Sequence, residues 1–504
     1  MKLGSTVYFV HRWLGVGVCL LIAMWFASGM VMVYVAYPEL TETERYAGLA
    51  ALDPDRIVFS PTELLAKEPV GAAIESLILT SAAKRPLYLL KRVGQPWQGM
   101  YGDSGEWLVD LTVESAIASA VSFYQSQHPE RSAHGTHRQT LDMDQWTVSS
   151  ELSDHRPLYL VSIDDDLATQ LYVSSRTGQV VRDTTRRERL WNWLGANLHW
   201  IYPMQLRKHR ELWVNTVIVL SLSGLIAVIT GAIIGLSRLR IRHPPEGESR
   251  SPYRGILKYH HVAGLLSLVF LSTFLFSGLM SVRPWGLFDD STHFSQQLKG
   301  YQSADKPFSS QLAHAQVDEI QQLLKQEAPP GAKEVYWHWL GGESYATLHH
   351  SEQQRHHRFA KDENQILVHK IHQNVYRLIP DAAILTEERL GEYDAYYYSH
   401  HDRLRPLPVL RVRFSDREST WFHIDLATGE VLDRLTFKRR VERWLFSGLH
   451  SLDFAVLINN RPLWHLVIIF LCICGLAFSV TSVVLGWRRL YNRQREKDTL
   501  KHRG

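Results

Sequence analysis

Cysteine is scarce in this chain: only Cys19, Cys472 and Cys474 occur among 504 residues, and all three lie in long apolar runs. The polar stretches between those runs contain no cysteine, so disulfides do not stabilise them in any compartment. The sequence also lacks a Gly-x-Gly-x-x-Gly motif after a predicted strand, a phosphate-binding P-loop and a His-Glu-x-x-His motif. These absences argue against a nicotinamide-binding domain, ATP-driven transport by this chain alone and metalloprotease activity.

Four apolar runs stand out although the mean hydropathy is only −0.16. Each is long enough to cross a bilayer, which takes about 20 apolar residues. We expect the first run to be a transmembrane helix, because it exceeds the roughly 7–15 apolar residues of a signal peptide. The four runs are Val7–Tyr34, Leu212–Leu236, Tyr259–Met280 and Leu463–Trp487.

Basic residues flank these runs unevenly. They are concentrated between Arg238 and Lys258, and again between Arg488 and Arg503. The positive-inside rule therefore predicts cytoplasmic termini and places the two large polar stretches outside, in the periplasm if the source is Gram-negative. The net charge of +4 comes largely from these flanks and gives no reason to expect nucleic-acid binding.

One pattern of residues occurs twice in the chain. His11, Gly15, Ser28 and Gly29 recur 249 residues later as His260, Gly264, Ser277 and Gly278. A second set recurs 251 residues later: Trp193, Leu198, His199, Arg210 and Trp213 return as Trp444, Leu449, His450, Arg461 and Trp464. Such self-similarity predicts two tandem copies of one structural unit.

The predicted fold class is a membrane α-helical plus α+β protein. It has four transmembrane helices in two tandem repeats, each repeat with an α+β extracytoplasmic domain. The predicted segments are helix 1 (1–37), outer domain 1 (38–187), interfacial helix and helix 2 (188–236), a cytoplasmic loop (237–257), helix 3 (258–282), outer domain 2 (283–439), interfacial helix and helix 4 (440–487), and a cytoplasmic tail (488–504). The interfacial helices, Arg189–Trp200 and Arg440–His450, are predicted to be amphipathic.

The alternating runs Leu171–Val181 and Trp421–Leu432 each contain a Thr-Gly-x-Val turn, which predicts β-hairpins and resembles PepSY domains. Spans that begin His11-Arg-Trp-Leu-Gly15 and His260-His-Val-Ala-Gly264, with Trp-x-x-x-x-Leu-His before spans two and four, resemble the PepSY-associated transmembrane family. The resemblance covers the spans and the second half of each outer domain, whereas residues 45–140 and 290–390 match no known pattern. It implies PepSY-like outer domains and a haem-carrying inner-membrane ferrisiderophore reductase.

The paired histidines predict two haem b sites, His11 with His260 and His199 with His450. Ionisable groups within a membrane are functional candidates by default, and facing helices can each supply one axial imidazole. His261 is the alternative to His260 as the haem ligand on this helix. Glycines on the same helix face as the histidines would leave room for a porphyrin, or else they allow close helix packing. Nearby arginines would bind haem propionates, or else lipid phosphates. These residues are Gly15, Gly29, Gly264 and Gly278, and Arg12, Arg210 and Arg461.

The predicted function is the transfer of single electrons across the membrane to an extracytoplasmic ferric complex such as a ferrisiderophore, for iron acquisition. The donor would be membrane quinol, reduced flavin or a separate reductase, and the bilayer is itself a partner. The main alternative is a PepSY-type peptide-binding or regulatory protein without redox activity, and a siderophore permease is a weaker one.

The second outer domain is rich in histidine and tyrosine. Its histidines could bind a metal ion or a ferric substrate, although a solvated loop without ligand is the default expectation. Asp394 and the three tyrosines that follow are further candidates for substrate contact. The histidines are His349, His350, His356, His357, His369, His372, His400 and His401, and the tyrosines are Tyr396, Tyr397 and Tyr398.

Overall fold

The computed structural model describes residues 3–66, 74–92, 94–109, 111–240, 249–289, 294–303, 316–326, 331–351, 355–358, 363–399 and 404–501. The chain forms two compact units. We call them the membrane unit (Met1–Tyr37, Leu190–Asp289 and Arg440–Gly504) and the sheet unit (Pro38–Arg189 and Asp290–Arg439).

The α-helices are, in chain order, α1 (Leu3–Met32), α2 (Glu42–Gly48), α3 (Pro61–Ala66), α4 (Val113–Gln127), α5 (Arg186–Asn192), α6 (Met204–Arg207), α7 (Arg210–Arg238), α8 (Ile256–Ser281), α9 (Phe294–Ser303), α10 (Val317–Gln326), α11 (Glu363–Asn374), α12 (Phe437–Arg443), α13 (Ala455–Ile458) and α14 (Arg461–Lys501). The strands are β1 (Ile74–Ala82), β2 (Arg85–Arg92), β3 (Gln98–Tyr101), β4 (Gly135–Leu141), β5 (Leu158–Ile163), β6 (Gln170–Ser174), β7 (Val180–Thr184), β8 (Glu334–Leu340), β9 (Glu343–His349), β10 (Arg355–Arg358), β11 (Ile384–Leu390), β12 (Val409–Phe414), β13 (Trp421–Asp425) and β14 (Val431–Leu435).

Four helices of the membrane unit confirm the four predicted spans. Each of α1, α7, α8 and α14 contains a stretch long and apolar enough to cross a bilayer. The helices share a hydrophobic core that includes Phe26 of α1, Leu275 of α8 and Ile468 of α14. Helix α14 continues past the predicted end of its span and reaches Lys501. The segment from 487 to 501 contains no proline or glycine, the two residues that most disfavour a helix. The chain is therefore a membrane protein with four candidate spans.

The sheet unit contains three antiparallel sheets. Two have four strands each, in the orders β4-β5-β6-β7 and β11-β12-β13-β14. The predicted hairpins are β6–β7 and β13–β14, whose turns contain Gly178 with φ 64° and Gly429 with φ 65°. Glycine is favoured at both positions because a Cβ atom is strained in this left-handed region.

The third sheet has six strands, in the order β10-β9-β8-β1-β2-β3, and takes three strands from each predicted outer domain. Strand β1 pairs with β2 on one side and with β8 on the other, where Leu77 lies opposite Trp337. The two segments that were predicted as separate domains thus share one sheet and one hydrophobic core, which also includes Leu79, Tyr88 and Ile320.

A buried ion pair also joins these two segments. The two carboxylate oxygens of Glu334 accept hydrogen bonds of 2.8 and 2.9 Å from the guanidinium of Arg45. Thr80 and Tyr336 donate two further bonds of 2.8 and 2.9 Å to the same carboxylate. Burial alone would raise the pKa of Glu334, but Arg45 and the two hydroxyl groups lower it below its ordinary value. Glu334 is therefore a fully bonded carboxylate in the interior of the shared sheet.

Candidate functional site

The four candidate histidines form two facing pairs within the membrane unit. The ring centres of His11 and His260 are 6.4 Å apart, and those of His199 and His450 are 6.0 Å apart. We call His11 and His260 the span pair, because both lie within membrane helices. We call His199 and His450 the link pair, because both lie between helices.

In the span pair, the Nδ1 atoms are held by groups on the other two spans. His11 Nδ1 lies 2.9 Å from the carbonyl oxygen of Ala227, and His260 Nδ1 lies 3.1 Å from Thr481 Oγ1. A carbonyl oxygen only accepts hydrogen bonds, so Nδ1 of His11 carries the proton. The Thr481 hydroxyl donates to the carbonyl of Phe478 at 2.6 Å and accepts from His260. Both neutral rings then carry their lone pair on Nε2.

The link pair has the same arrangement. His199 Nδ1 lies 3.1 Å from both the carbonyl oxygen of Trp25 and the hydroxyl of Ser28. His450 Nδ1 lies 3.0 Å from the hydroxyl of Ser277. Burial lowers the pKa of His199 to about 3 and that of His450 to about 4, so both rings are neutral at pH 7. Among the residues that the structure describes, Nε2 of all four histidines has no hydrogen-bond partner.

A π-helical turn precedes each histidine of the link pair. The predicted amphipathic helices are helical, but Trp193–Asn197 and Trp444–Gly448 form wider π turns directly before the two histidines. At Gly195 the backbone leaves helical geometry altogether, with φ −98° and ψ −106°. Turns of this type are frequent at functional sites.

Three glycines lie directly against histidine rings. A Cβ atom on Gly29 would lie 3.4 Å from Cε1 of His199, and one on Gly278 would lie 3.5 Å from Cε1 of His450. A Cβ on Gly231 would approach Cε1 of His11 to 2.7 Å, which is closer than the ring permits without moving. These glycines therefore allow His199, His450 and His11 to lie close to the neighbouring helices.

The sequence matches the profile of the family described as the PepSY-associated TM region over residues 8–489. The chain belongs to this family. A search of the curated proteins gave no match. The matched range includes all four histidines and both of their hydrogen-bonded serines.

In this PepSY-associated protein, both ring nitrogens of His261, the alternative to His260, have hydrogen-bond partners. Nδ1 of His261 lies 2.8 Å from the hydroxyl of Ser251, and its Nε2 lies 2.9 Å from the carbonyl oxygen of Gly235. The ring is buried, and its two hydrogen bonds join the loop between α7 and α8 to the C-terminal end of α7. Of the two adjacent histidines, only His260 has a nitrogen available for a ligand.

The other predicted site residues differ in their surroundings. Gly15 has open space around it, whereas Gly264 faces Phe478, whose ring stacks on His260 with 5.1 Å between ring centres. Arg12 and Arg210 are exposed, and the guanidinium of Arg461 lies 5.5 Å from the ring centre of Trp464. Sequence reasoning missed Gly231, Ser28, Ser277 and Thr481 as site residues, although the two serines belong to the repeated pattern.

The histidine-rich part of the sheet unit forms no metal site among the described residues: no group of three or more His, Cys, Asp or Glu side chains is placed to hold an ion. His349 is buried, with its Nδ1 3.0 Å from the hydroxyl of Tyr46. His369 lies 2.7 Å from the amide of Gln373, and His372 pairs with Glu387. His400 and His401 lie outside the described residues.

Asp394 has a structural role that differs from the predicted substrate contact. Its carboxylate accepts bonds of 2.6 and 2.9 Å from Arg411, and bonds from the backbone N–H groups of Tyr396 and Tyr397. Burial opposes ionisation, but these partners lower the pKa of Asp394 to about 2. The Tyr397 hydroxyl donates to the carbonyl of Pro406 at 2.7 Å, so both side chains hold their own loop.

Proposed function

We propose that this membrane protein is a di-haem b reductase that passes single electrons to an extracytoplasmic ferric complex such as a ferrisiderophore. In this proposal the chain lies in a bacterial inner membrane with cytoplasmic termini, and its two halves are tandem repeats. The electron donor is a separate molecule: quinol, reduced flavin or a reductase protein.

The observation that carries the proposal is the pair geometry. In each pair, the centres of two imidazole rings lie about 6 Å apart, and no described residue forms a hydrogen bond with any of the four Nε2 atoms. Two metal–imidazole bonds of about 2 Å each, on opposite sides of one ion, would separate the ring centres by about 6 Å. The separations of 6.4 and 6.0 Å agree with this value.

The number of ligands favours haem over a bare metal ion. A structural zinc site needs about four protein ligands, and a catalytic one about three. Each pair supplies two, and no group of three or more ligating residues occurs in the described part of the chain. Two axial imidazoles suffice for an iron ion whose other ligands come from a porphyrin.

Haem b, when bound, supplies reversible one-electron transfer. The chain's own residues have three tasks in this chemistry. The Nδ1 partners keep the proton on Nδ1 and leave Nε2 of each histidine for iron. Gly29, Gly231 and Gly278 admit the rings at close range. Phe274, whose ring centre is 5.8 Å from that of His450, helps to exclude water from the link pair.

The proposal is tested by purifying the full chain in mild detergent and recording oxidised and dithionite-reduced spectra with a haem-to-protein ratio. We expect about two b-type haems per chain, and oxidation of the reduced protein by a ferric hydroxamate complex. A protein that contains no haem after expression with ample haem would contradict the proposal and favour the peptide-binding alternative.

Substituting Gly231→Ala should disturb the span pair selectively. The added Cβ would lie 2.7 Å from Cε1 of His11, so the ring or the helix beside it must shift. We expect about tenfold weaker haem retention at one of the two sites, measured as haem loss to apomyoglobin. Gly17→Ala is the matched control, because no atom lies within 4 Å of its added Cβ. Equal haem retention in both variants would contradict the assigned contact.

A further inference from the structure

Two buried serines contact the link pair at equivalent places. Ser28 on α1 and Ser277 on α8 lie 249 residues apart, the same interval that separates His11 from His260. Ser28 Oγ is 3.1 Å from Nδ1 of His199, and Ser277 Oγ is 3.0 Å from Nδ1 of His450. Each serine directly precedes one of the glycines that lie against the same ring.

Each serine hydroxyl donates its proton to a backbone carbonyl of its own helix. Ser28 donates to the carbonyl oxygen of Met24 at 2.7 Å, and Ser277 donates to that of Phe274 at 3.2 Å. A hydroxyl that gives its proton to a carbonyl keeps its lone pairs, and one of them accepts the Nδ1–H of the neighbouring histidine. Nδ1–H of His199 is shared between Ser28 and the carbonyl oxygen of Trp25, which is also 3.1 Å away. The resulting chain of bonds runs from imidazole to hydroxyl to backbone, and each bond polarises the next.

We propose that Ser28 and Ser277 are positioning residues that orient the imidazoles of His199 and His450 and lower the reduction potential of the haem these imidazoles bind. The inference rests on the proposed function. An acceptor on Nδ1–H makes Nε2 a stronger electron donor, and a stronger donor stabilises ferric iron more than ferrous iron. The hydroxyl also restricts rotation of the ring.

The test is a potentiometric titration of the full-length Ser28→Ala/Ser277→Ala variant, followed by the haem absorption bands. The haem of the link pair is identified as the one that His199→Ala removes. We expect the affinity of this site for ferric over ferrous haem to fall by up to about tenfold, which raises its potential by up to about 59 mV for a one-electron couple. The second haem should keep its potential, which shows that the membrane unit is folded.

Two further variants separate positioning from general packing. Ser28→Thr/Ser277→Thr keeps both hydroxyls and should restore the wild-type potential. Ser479→Ala removes an equally buried serine of α14 that donates only to the carbonyl of Gly475 at 2.7 Å, and it should leave both potentials unchanged.

The outcomes are distinguishable. If the wild-type protein contains two haems and the double alanine variant titrates identically, the role of the serines is overturned and the proposed function stands. An equal shift in Ser479→Ala would also overturn it. If the wild-type protein contains no haem, the proposed function itself fails.

Discussion

Substituting His199→Ala should lower the haem content from about two per chain to about one. The variant should also slow electron transfer to a ferric hydroxamate complex by at least about 100-fold. The reason is that, in the proposed di-haem protein, His199 and His450 would each supply one ligand to the same iron, so the variant would keep only one of the two protein ligands. Haem content is measured as the pyridine haemochrome, and electron transfer by stopped-flow oxidation of the reduced protein.

His465→Ala is the matched control for this prediction. His465 belongs to the same membrane unit and lies in α14, where its ring packs on Tyr34 with 5.5 Å between ring centres. We expect two haems and unchanged electron transfer in this variant. His199→Ala protein that retains two haems and full activity would show that the link pair binds no haem. Loss of both haems in His465→Ala would show that haem content reports folding only.

Substituting Glu334→Ala should destabilise the sheet unit by about 3 kcal/mol or more. The change leaves the guanidinium of Arg45, whose side chain is only 18% exposed, without its buried partner. Removing one member of a buried ion pair costs about 3–5 kcal/mol, and the lower end applies here because Arg45 keeps its second partner, Glu42, at 2.9 Å. Thr80 and Tyr336 lose their acceptor as well. Urea unfolding of the full chain in detergent, followed by tryptophan fluorescence, measures the effect.

The matched control is an exposed ion pair that joins the same two segments. Asp55 and Lys325 are 2.6 Å apart, and their side chains are 76% and 50% exposed. We expect Asp55→Asn to cost less than about 1 kcal/mol, since water screens exposed pairs. Equal stability losses in the two variants would show that burial of Glu334 has no special role in joining the segments.

The sequence predicts features that depend on local pattern. The four spans follow from apolar length, and the hairpins β6–β7 and β13–β14 follow from alternation ended by Thr-Gly turns. The internal repeat predicts that His11 corresponds to His260 and His199 to His450, and the structure places the two members of each pair close together. These properties need only neighbouring residues or an internal comparison of one half with the other.

Features that depend on distant pairing could not be predicted. Strands β1 and β8 lie in the two segments that match no known pattern, and nothing local indicates that Leu77 lies opposite Trp337. The π turns differ from α-helices by one residue per turn, which an apolar pattern does not resolve. Gly231 escaped notice because the equivalent position in the second half is Ser482, which lies 3.4 Å from Nδ1 of His260.

The shared sheet sets an order for biosynthesis. Strand β1 is complete on the order of 250 residues before β8 leaves the ribosome, which takes roughly 10–50 s at about 5–20 residues per second. During that time two membrane helices, α7 and α8, must also be inserted. Over this interval one edge of β1 is unpaired, and unpaired edges are templates for aggregation. A holding chaperone that binds extended segments would therefore increase the yield of this protein, and expressing its halves separately would leave β1 without β8.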